Sequence, residues 1–153
     1  MKSLELRVPP PVAMLLAAAL MWLAALALPA LDFPLEARGP IAAIVALAGV
    51  AIAGVAFFQL RRAGTTVNPM KPGESAVLVT QGIYRFSRNP MYVGDALMLI
   101  GWALWLANAA ALALVALFVV YLNRYQIAPE ERALEARYGA PYAEYCRAVR
   151  RWL

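Results

Sequence analysis

Two stretches of the chain, Val12 to Leu31 and Ile41 to Leu60, each run for about 20 residues without one ionisable side chain. That feature limits the fold more than any other, because a helix of this length rises about 30 Å, the thickness of a bilayer's hydrocarbon core. The chain is therefore read as an all-α integral membrane protein. Hydrophobic residues make up 63% and charged residues 15%, and the apolar ones come in blocks rather than scattered as in a soluble domain. At 153 residues there is room for one compact bundle and no separate soluble domain. The formal charge of +5 matters less for its sign than for its placement beside the apolar runs, and a nucleic-acid partner is not indicated.

Prolines mark where the first two spans begin. Pro9-Pro10-Pro11 precedes the first, and Pro40 opens the second after a short polar connection, Asp32 to Gly39. The basic start, Met1 to Arg7, resembles that of a signal peptide, but the run that follows is long and lacks a small-residue cleavage site, so a retained first span is expected. Gly49 and Gly54 suit close approach of another helix, or serve as lipid-facing filler among the alanines.

The third apolar run, Met91 to Asn123, is too long for one upright span. About 33 residues would reach ~50 Å as a helix, whereas two spans of about 15 residues are short but possible. Only Asn108 hints at a turn. Charge placement decides for a hairpin: Arg61, Arg62, Lys71, Arg85 and Arg88 precede the run, and Arg124, Arg132, Arg137, Arg147, Arg150 and Arg151 follow it. A single crossing would put one cluster on the wrong side of the membrane. With Lys2 and Arg7, this predicts four spans in a bacterial inner membrane. The N-terminus, loop 61–90 and C-terminal tail are then cytoplasmic, and residues 32–39 and the turn near Asn108 lie opposite. Residues 1–60 form the first two spans, and residues 61–153 carry the chemistry.

Gly64, Pro69, Pro72, Gly73 and Gly82 interrupt the middle loop too often for a continuous helix, and Ser75 to Thr80 is apolar enough to lie at the interface. After Pro129 the pattern from Glu130 to Tyr138 predicts a helix that Gly139 ends, and Pro141 starts another through Tyr145 and Val149. Both are expected to lie along the membrane surface.

One cysteine, Cys146, excludes an internal disulfide, and the absence of His removes the commonest metal ligand and the commonest general base. No metal site is expected. Between Gly82 and Tyr92, Arg85 and Arg88 offer cations, Tyr84, Phe86 and Tyr92 offer ring faces, and Asn89-Pro90 sets a turn just before a helix begins at Met91. A helix N-terminus beside two arginines suits an anion. The same residues also suit an interfacial belt against lipid phosphates. Glu130 and Glu131 point about 100° apart on a helix, so one can face a site while the other serves the surface; both would also favour the positive end of their helix. Asp95, taken to lie in the first turn of its helix, is costly there unless paired, hydrated or functional, and Arg88 is its candidate partner.

Gly82-Ile-Tyr84, Arg88-Asn-Pro-Met-Tyr92, Gly94, the apolar hairpin, Arg124-Tyr125, Glu130-Glu131, Leu134, and Tyr138-Gly139 with Tyr142 and Tyr145 together resemble the isoprenylcysteine carboxyl methyltransferase and phospholipid methyltransferase superfamily. The likeness spans roughly Thr65 to Trp152. It implies a membrane-embedded enzyme using S-adenosylmethionine, with Tyr84, Arg88, Asn89, Pro90, Tyr92 and Gly94 on one side of the cofactor and Glu130, Glu131, Leu134, Tyr138 and Tyr142 on the other. A carboxylate suits ribose hydroxyls, arginine suits the methionine carboxylate, and ring faces suit the sulfonium. Methyl transfer is an in-line displacement that depends on alignment and exclusion of water. Arg124 is expected to orient or neutralise the acceptor, and Glu130 or Glu131 to take a proton from it if it is an amine.

The acceptor is expected to be a membrane lipid or another lipophilic or small molecule bearing a carboxylate, thiol or amine. Many superfamily members carry His where this chain has Asn89, and the chain is shorter than the eukaryotic enzymes. Two other classes stay open. NADPH-dependent sterol reductases resemble the same half, including Tyr92-Val-Gly94-Asp95, and a small non-catalytic scaffold subunit would keep the fold alone.

Overall fold

Asn108 breaks the third apolar run in the computed structural model, which describes residues 5–65 and 77–153. Helix α3, Pro90–Leu106, ends where Ala107 turns to φ 49°, and α4, Ala109–Leu122, starts on the Asn108 side chain, which accepts from the amides of Ala110 and Ala111. The expected hairpin is therefore present. Its tip is tied to the connection after helix α1, Pro10–Ala27: Asn108 Nδ2 donates to Leu28 O at 3.0 Å and to Asp32 Oδ1 at 2.7 Å, and Phe33 N donates to Ala107 O at 2.9 Å. Asn108 is fully buried, and using both ends of its amide is what makes that burial tolerable. The two connections expected on one side of the membrane thus meet at one end of the bundle.

Helix α2, Arg38–Arg62, packs along α3 with backbones almost in contact. A Cβ on Gly94 would sit 2.6 Å from Gly49 O, and one on Gly101 would sit 2.8 Å from Ala42 O. Small residues permit this approach, and van der Waals contact is the main cohesive term between helices in lipid. Gly49 fulfils the close-approach expectation; Gly54 does not, since nothing lies within 4 Å of a Cβ built there. On the other side of α3, a core of Met21 from α1, Leu99 and Ala103 from α3, and Ala111, Phe118 and Leu122 from α4 is closed to solvent. Trp102 Nε1 donates to Ala18 O at 3.1 Å across the same seam.

Several boundaries differ from expectation. The first span starts at Pro10 and ends at Ala27, because Pro29 cannot continue the helix and opens a 3₁₀ turn, Pro29–Leu31. Helix α5, Ala128–Tyr138, does not begin afresh after Pro129 but continues α4 through a π turn, Asn123–Ile127. Pro129 has no N–H to offer the carbonyl of Tyr125 one turn back, and the widened turn accommodates its ring. The N–H of Leu6 takes that carbonyl instead, at 3.0 Å. Gly139, at φ 58°, then ends α5 as expected, and α6, Ala140–Ala148, follows.

The protein is an all-helical integral membrane protein, with no strand among the described residues. Helices α1, α2 and the α4–α5 run are long and apolar enough to cross a bilayer, and α3, at 17 residues, is a shorter apolar helix. Of the sequence expectations, Lys2, Pro69, Lys71, Pro72, Gly73 and the first part of the Ser75 to Thr80 segment lie outside the described residues.

Candidate active site between loop 87–89 and helix α5

The loop that precedes α3 is fixed before any ligand is considered. Its 3₁₀ turn, Gly82–Arg85, sits against Gln59 of α2, whose side chain donates to Gln81 O at 2.6 Å and accepts from Ile83 N at 3.2 Å. Tyr84 is buried, reaching Ala56 O at 3.4 Å, and its own carbonyl accepts from the Tyr145 hydroxyl at 2.7 Å. Asn89 and Pro90 then start α3 in the way the sequence suggests, with Pro90 at its first position.

From this loop Arg88 points to α5. Its Nη2 donates to Glu131 Oε1 at 2.8 Å and its Nη1 to Cys146 O at 3.1 Å, while its Nε is buried with no hydrogen-bond partner. Arg151 reaches the same carboxylate from the other side, Nε to Oε1 at 3.1 Å and Nη2 to Oε2 at 2.5 Å. The hydrogen bond to Glu131 holds the Arg151 guanidinium protonated above its ordinary range. One carboxylate between two guanidinium groups leaves the cluster with a net positive charge. The Arg88 Nε–H is a buried donor without an acceptor, an exception to the rule that buried polar groups are satisfied.

Glu130 faces away from this cluster, as the 100° step requires. The Tyr92 hydroxyl donates to its Oε1 at 2.6 Å, and Gln126, one turn earlier on the same helical run, also donates to it. Both glutamates therefore point into the structure, one to the arginines and one to Tyr92. The idea that one of them serves the surface is corrected.

Leu134 and Tyr138 from α5 pack with Tyr142, Tyr145 and Val149 of the α6 region, and with Leu78 and Cys146. The Tyr142 and Tyr145 rings lie 6.3 Å apart between centroids. Burial raises the phenol pKa of Tyr84, Tyr142 and Tyr145 above the ordinary range, so all three are neutral rings at physiological pH.

The site residues read from sequence are thus mostly brought together: Tyr84, Arg88, Asn89, Pro90 and Tyr92 on the loop and α3, and Glu130, Glu131, Leu134, Tyr138 and Tyr142 on α5 and α6. Two stand apart. Gly94 is spent on the approach to Gly49, and Arg124 is exposed, over the Tyr125 ring at 5.9 Å. Asp95 is not paired with Arg88, which is engaged by Glu131. It also lies beyond the first turn, as the sixth residue of a helix that starts at Pro90.

Arg151, Gln126 and Ser87 were missed. Gln126 had a signal, its spacing of four from Glu130 on one helix face. Arg151 and Ser87 had none, since only the fold brings the Arg151 carbonyl to Ser87 and Asn89.

S-adenosylmethionine carries a carboxylate, a sulfonium and an aromatic base. The unpartnered Arg88 N–H, the positive cluster beside the start of α3 and the neutral tyrosine rings fit those groups.

Comparison with known proteins bears on the family of the chain. Residues 38–141, more than half of the chain, match the phospholipid methyltransferase family. An uncharacterized protein of Haemophilus influenzae is 44% identical over 63 residues, covering 41% of this chain and all of that protein. Protein-S-isoprenylcysteine O-methyltransferase A of Arabidopsis thaliana is 29% identical over 106 residues, which is 69% of this chain and 54% of that protein. The chain belongs to the phospholipid methyltransferase family.

Proposed function

We propose that the protein transfers a methyl group from S-adenosylmethionine to a lipophilic acceptor at the membrane surface, using residues 61–153 as the cofactor region with α2 as its packing partner. The observation that carries this reading is the buried, unpartnered Nε of Arg88 within a net positive cluster. The cofactor's carboxylate is the group of matching charge and size. In this reading the loop and tail lie on the cytoplasmic side of a bacterial inner membrane, where the basic residues beside the spans belong.

Arg88 binds the carboxylate, and Glu131 fixes the Arg88 side chain rather than the ribose, since its oxygens already accept three N–H groups. Tyr84 and Tyr142, with Leu134 and Tyr138 behind them, wall the pocket, and their neutral ring faces suit a cation. Pro90 and Asn89 set the loop. When bound, the cofactor supplies an electrophilic methyl. Tyr92 and Gln126 hold Glu130 by one oxygen, leaving the other to take the proton of an amine acceptor. A carboxylate or thiolate acceptor arrives ionised and needs only alignment. Arg124, exposed in the π turn after α4, would meet an anionic acceptor at the surface.

The match to the phospholipid methyltransferase family supports methyl transfer over hydride transfer from NADPH. The test is purified protein with S-adenosylmethionine labelled in its methyl group, offered lipid, thiol and small carboxylate pools. Label entering the lipid pool is expected. Label entering none, under conditions where the protein is folded, contradicts the reading.

A further inference from the structure

Three residues that follow α6 reach the loop before α3, helix α5 and the π turn. The Arg150 carbonyl accepts the Arg88 amide at 3.0 Å, and the Arg151 carbonyl accepts Asn89 Nδ2 at 2.9 Å and the Ser87 hydroxyl at 3.4 Å. The Arg151 guanidinium forks onto Glu131 of α5. Trp152 Nε1 donates to Asn123 Oδ1 at 3.0 Å, in the π turn, and its ring packs against the core. A surface arginine paired by chance would show one contact with one partner, and such a pair contributes little. Here backbone and side chain act together on three separate elements.

We propose that residues 150–152 form a clasp over the cofactor site and that Arg151 is its positioning residue, acting through Glu131 and loop 87–89. This rests on the reading of the site as a cofactor site. By holding both oxygens of Glu131, Arg151 confines that carboxylate to Nη2 of Arg88 and keeps it from folding onto Nε. The Nε–H thereby stays unpaired inside the cluster, free to donate to a ligand's oxygen once the site opens to it. Without Arg151, Glu131 is free to engage Arg88 through Nε and Nη2 together, the usual bidentate geometry of such a pair, which closes the ligand's donor from within. The clasp also accounts for Asn89: the position supplies an N–H to the Arg151 carbonyl, which an amide does without titrating.

The experiment compares wild type, Arg151→Ala, Arg151→Lys and, as a control, Arg147→Ala, whose side chain is exposed on α6. Calorimetric titration with S-adenosylhomocysteine separates affinity from the fraction of folded sites, because lost positioning raises Kd whereas lost folding lowers the stoichiometry. Both Arg151 variants are expected to bind roughly tenfold weaker or worse at unchanged stoichiometry, since a lysine cannot reproduce the fork. Arg147→Ala should match wild type. Wild-type affinity in Arg151→Ala, or an equal loss in Arg147→Ala, overturns the proposal.

A second readout needs no ligand. Hydrogen exchange at the Arg88 amide, which the clasp protects, should be several-fold faster in Arg151→Ala than in wild type. Unchanged exchange overturns the clasp by itself. If exchange speeds up but the wild type binds no S-adenosylhomocysteine, the cofactor reading fails and the role assigned to Arg151 in it fails too, while the tether of the loop stands.

Discussion

Arg88 and Glu131, 43 positions apart in the chain, meet at 2.8 Å, with side chains only 13% and 19% exposed. Their contact closes the loop before α3 onto the helix after α4, and the hairpin between them is what makes it possible. Glu131→Ala leaves two guanidinium groups facing each other without their shared anion. Because the site is partly open to solvent, the loss is expected below that of a fully buried pair, at about 2 kcal/mol. Denaturant unfolding in detergent measures it, and Glu131→Gln, which still accepts hydrogen bonds, should lose less.

At the other end of the bundle Asn108 serves four partners: two amides of its own helix, Leu28 O and Asp32. Asn108→Ala removes the cap of α4 and strands the groups tied to it. A loss of about 2–3 kcal/mol is expected from the cap and the unsatisfied buried groups together, read as a lower thermal midpoint. Asn108→Asp keeps the cap acceptor but places a second carboxylate against Asp32, and should be no better than the alanine.

The glycines separate packing from filler. Gly94→Ala forces a methyl group to 2.6 Å from Gly49 O, where only backbone can yield. Destabilisation of about 1–3 kcal/mol is expected. Gly54→Ala meets nothing within 4 Å and should leave stability unchanged or raise it by up to about 1 kcal/mol, through helix propensity. Parallel melts of the two variants check both signs.

The raised phenol pKa values of Tyr84, Tyr142 and Tyr145 carry a pH signature. Each unfolded tyrosine ionises near pH 10.0, while burial keeps the folded one protonated to higher pH. Between the two values the unfolded state has released a proton that the folded state retains, so stability is full below pH 10.0 and falls as pH rises beyond it. Thermal midpoints measured from pH 7 to pH 11 should stay flat and then drop. Replacing Tyr142 with Phe should make the drop shallower.

Much of the fold was legible because lipid permits few solutions. The uncharged runs from Val12 and Ile41 had to be helices, and the arginines on both sides of Met91 to Asn123 required a hairpin whose one turn signal, Asn108, is where the turn falls. What the sequence did not show was set by contacts distant along the chain. The continuity of α4 into α5 depends on Leu6, more than a hundred residues away, satisfying the carbonyl that Pro129 abandons. The directions of Glu130 and Glu131 followed from helical geometry, but their partners did not: Tyr92 and Arg151 are identified only once α3 and the segment after α6 are in place. Gly94 was read as part of a pocket because glycine permits close approach to a ligand or to a backbone alike, and here the backbone of α2 takes that place.

The central claim is that the cluster around Arg88 receives S-adenosylmethionine, and thermal stabilisation of the purified protein tests it most directly. S-adenosylhomocysteine at one hundred times its Kd should stabilise the wild type by about 2.7 kcal/mol, with the shift largely lost in Arg88→Ala and no shift from NADPH. A shift from NADPH but none from S-adenosylhomocysteine, or an undiminished shift in Arg88→Ala, would contradict it.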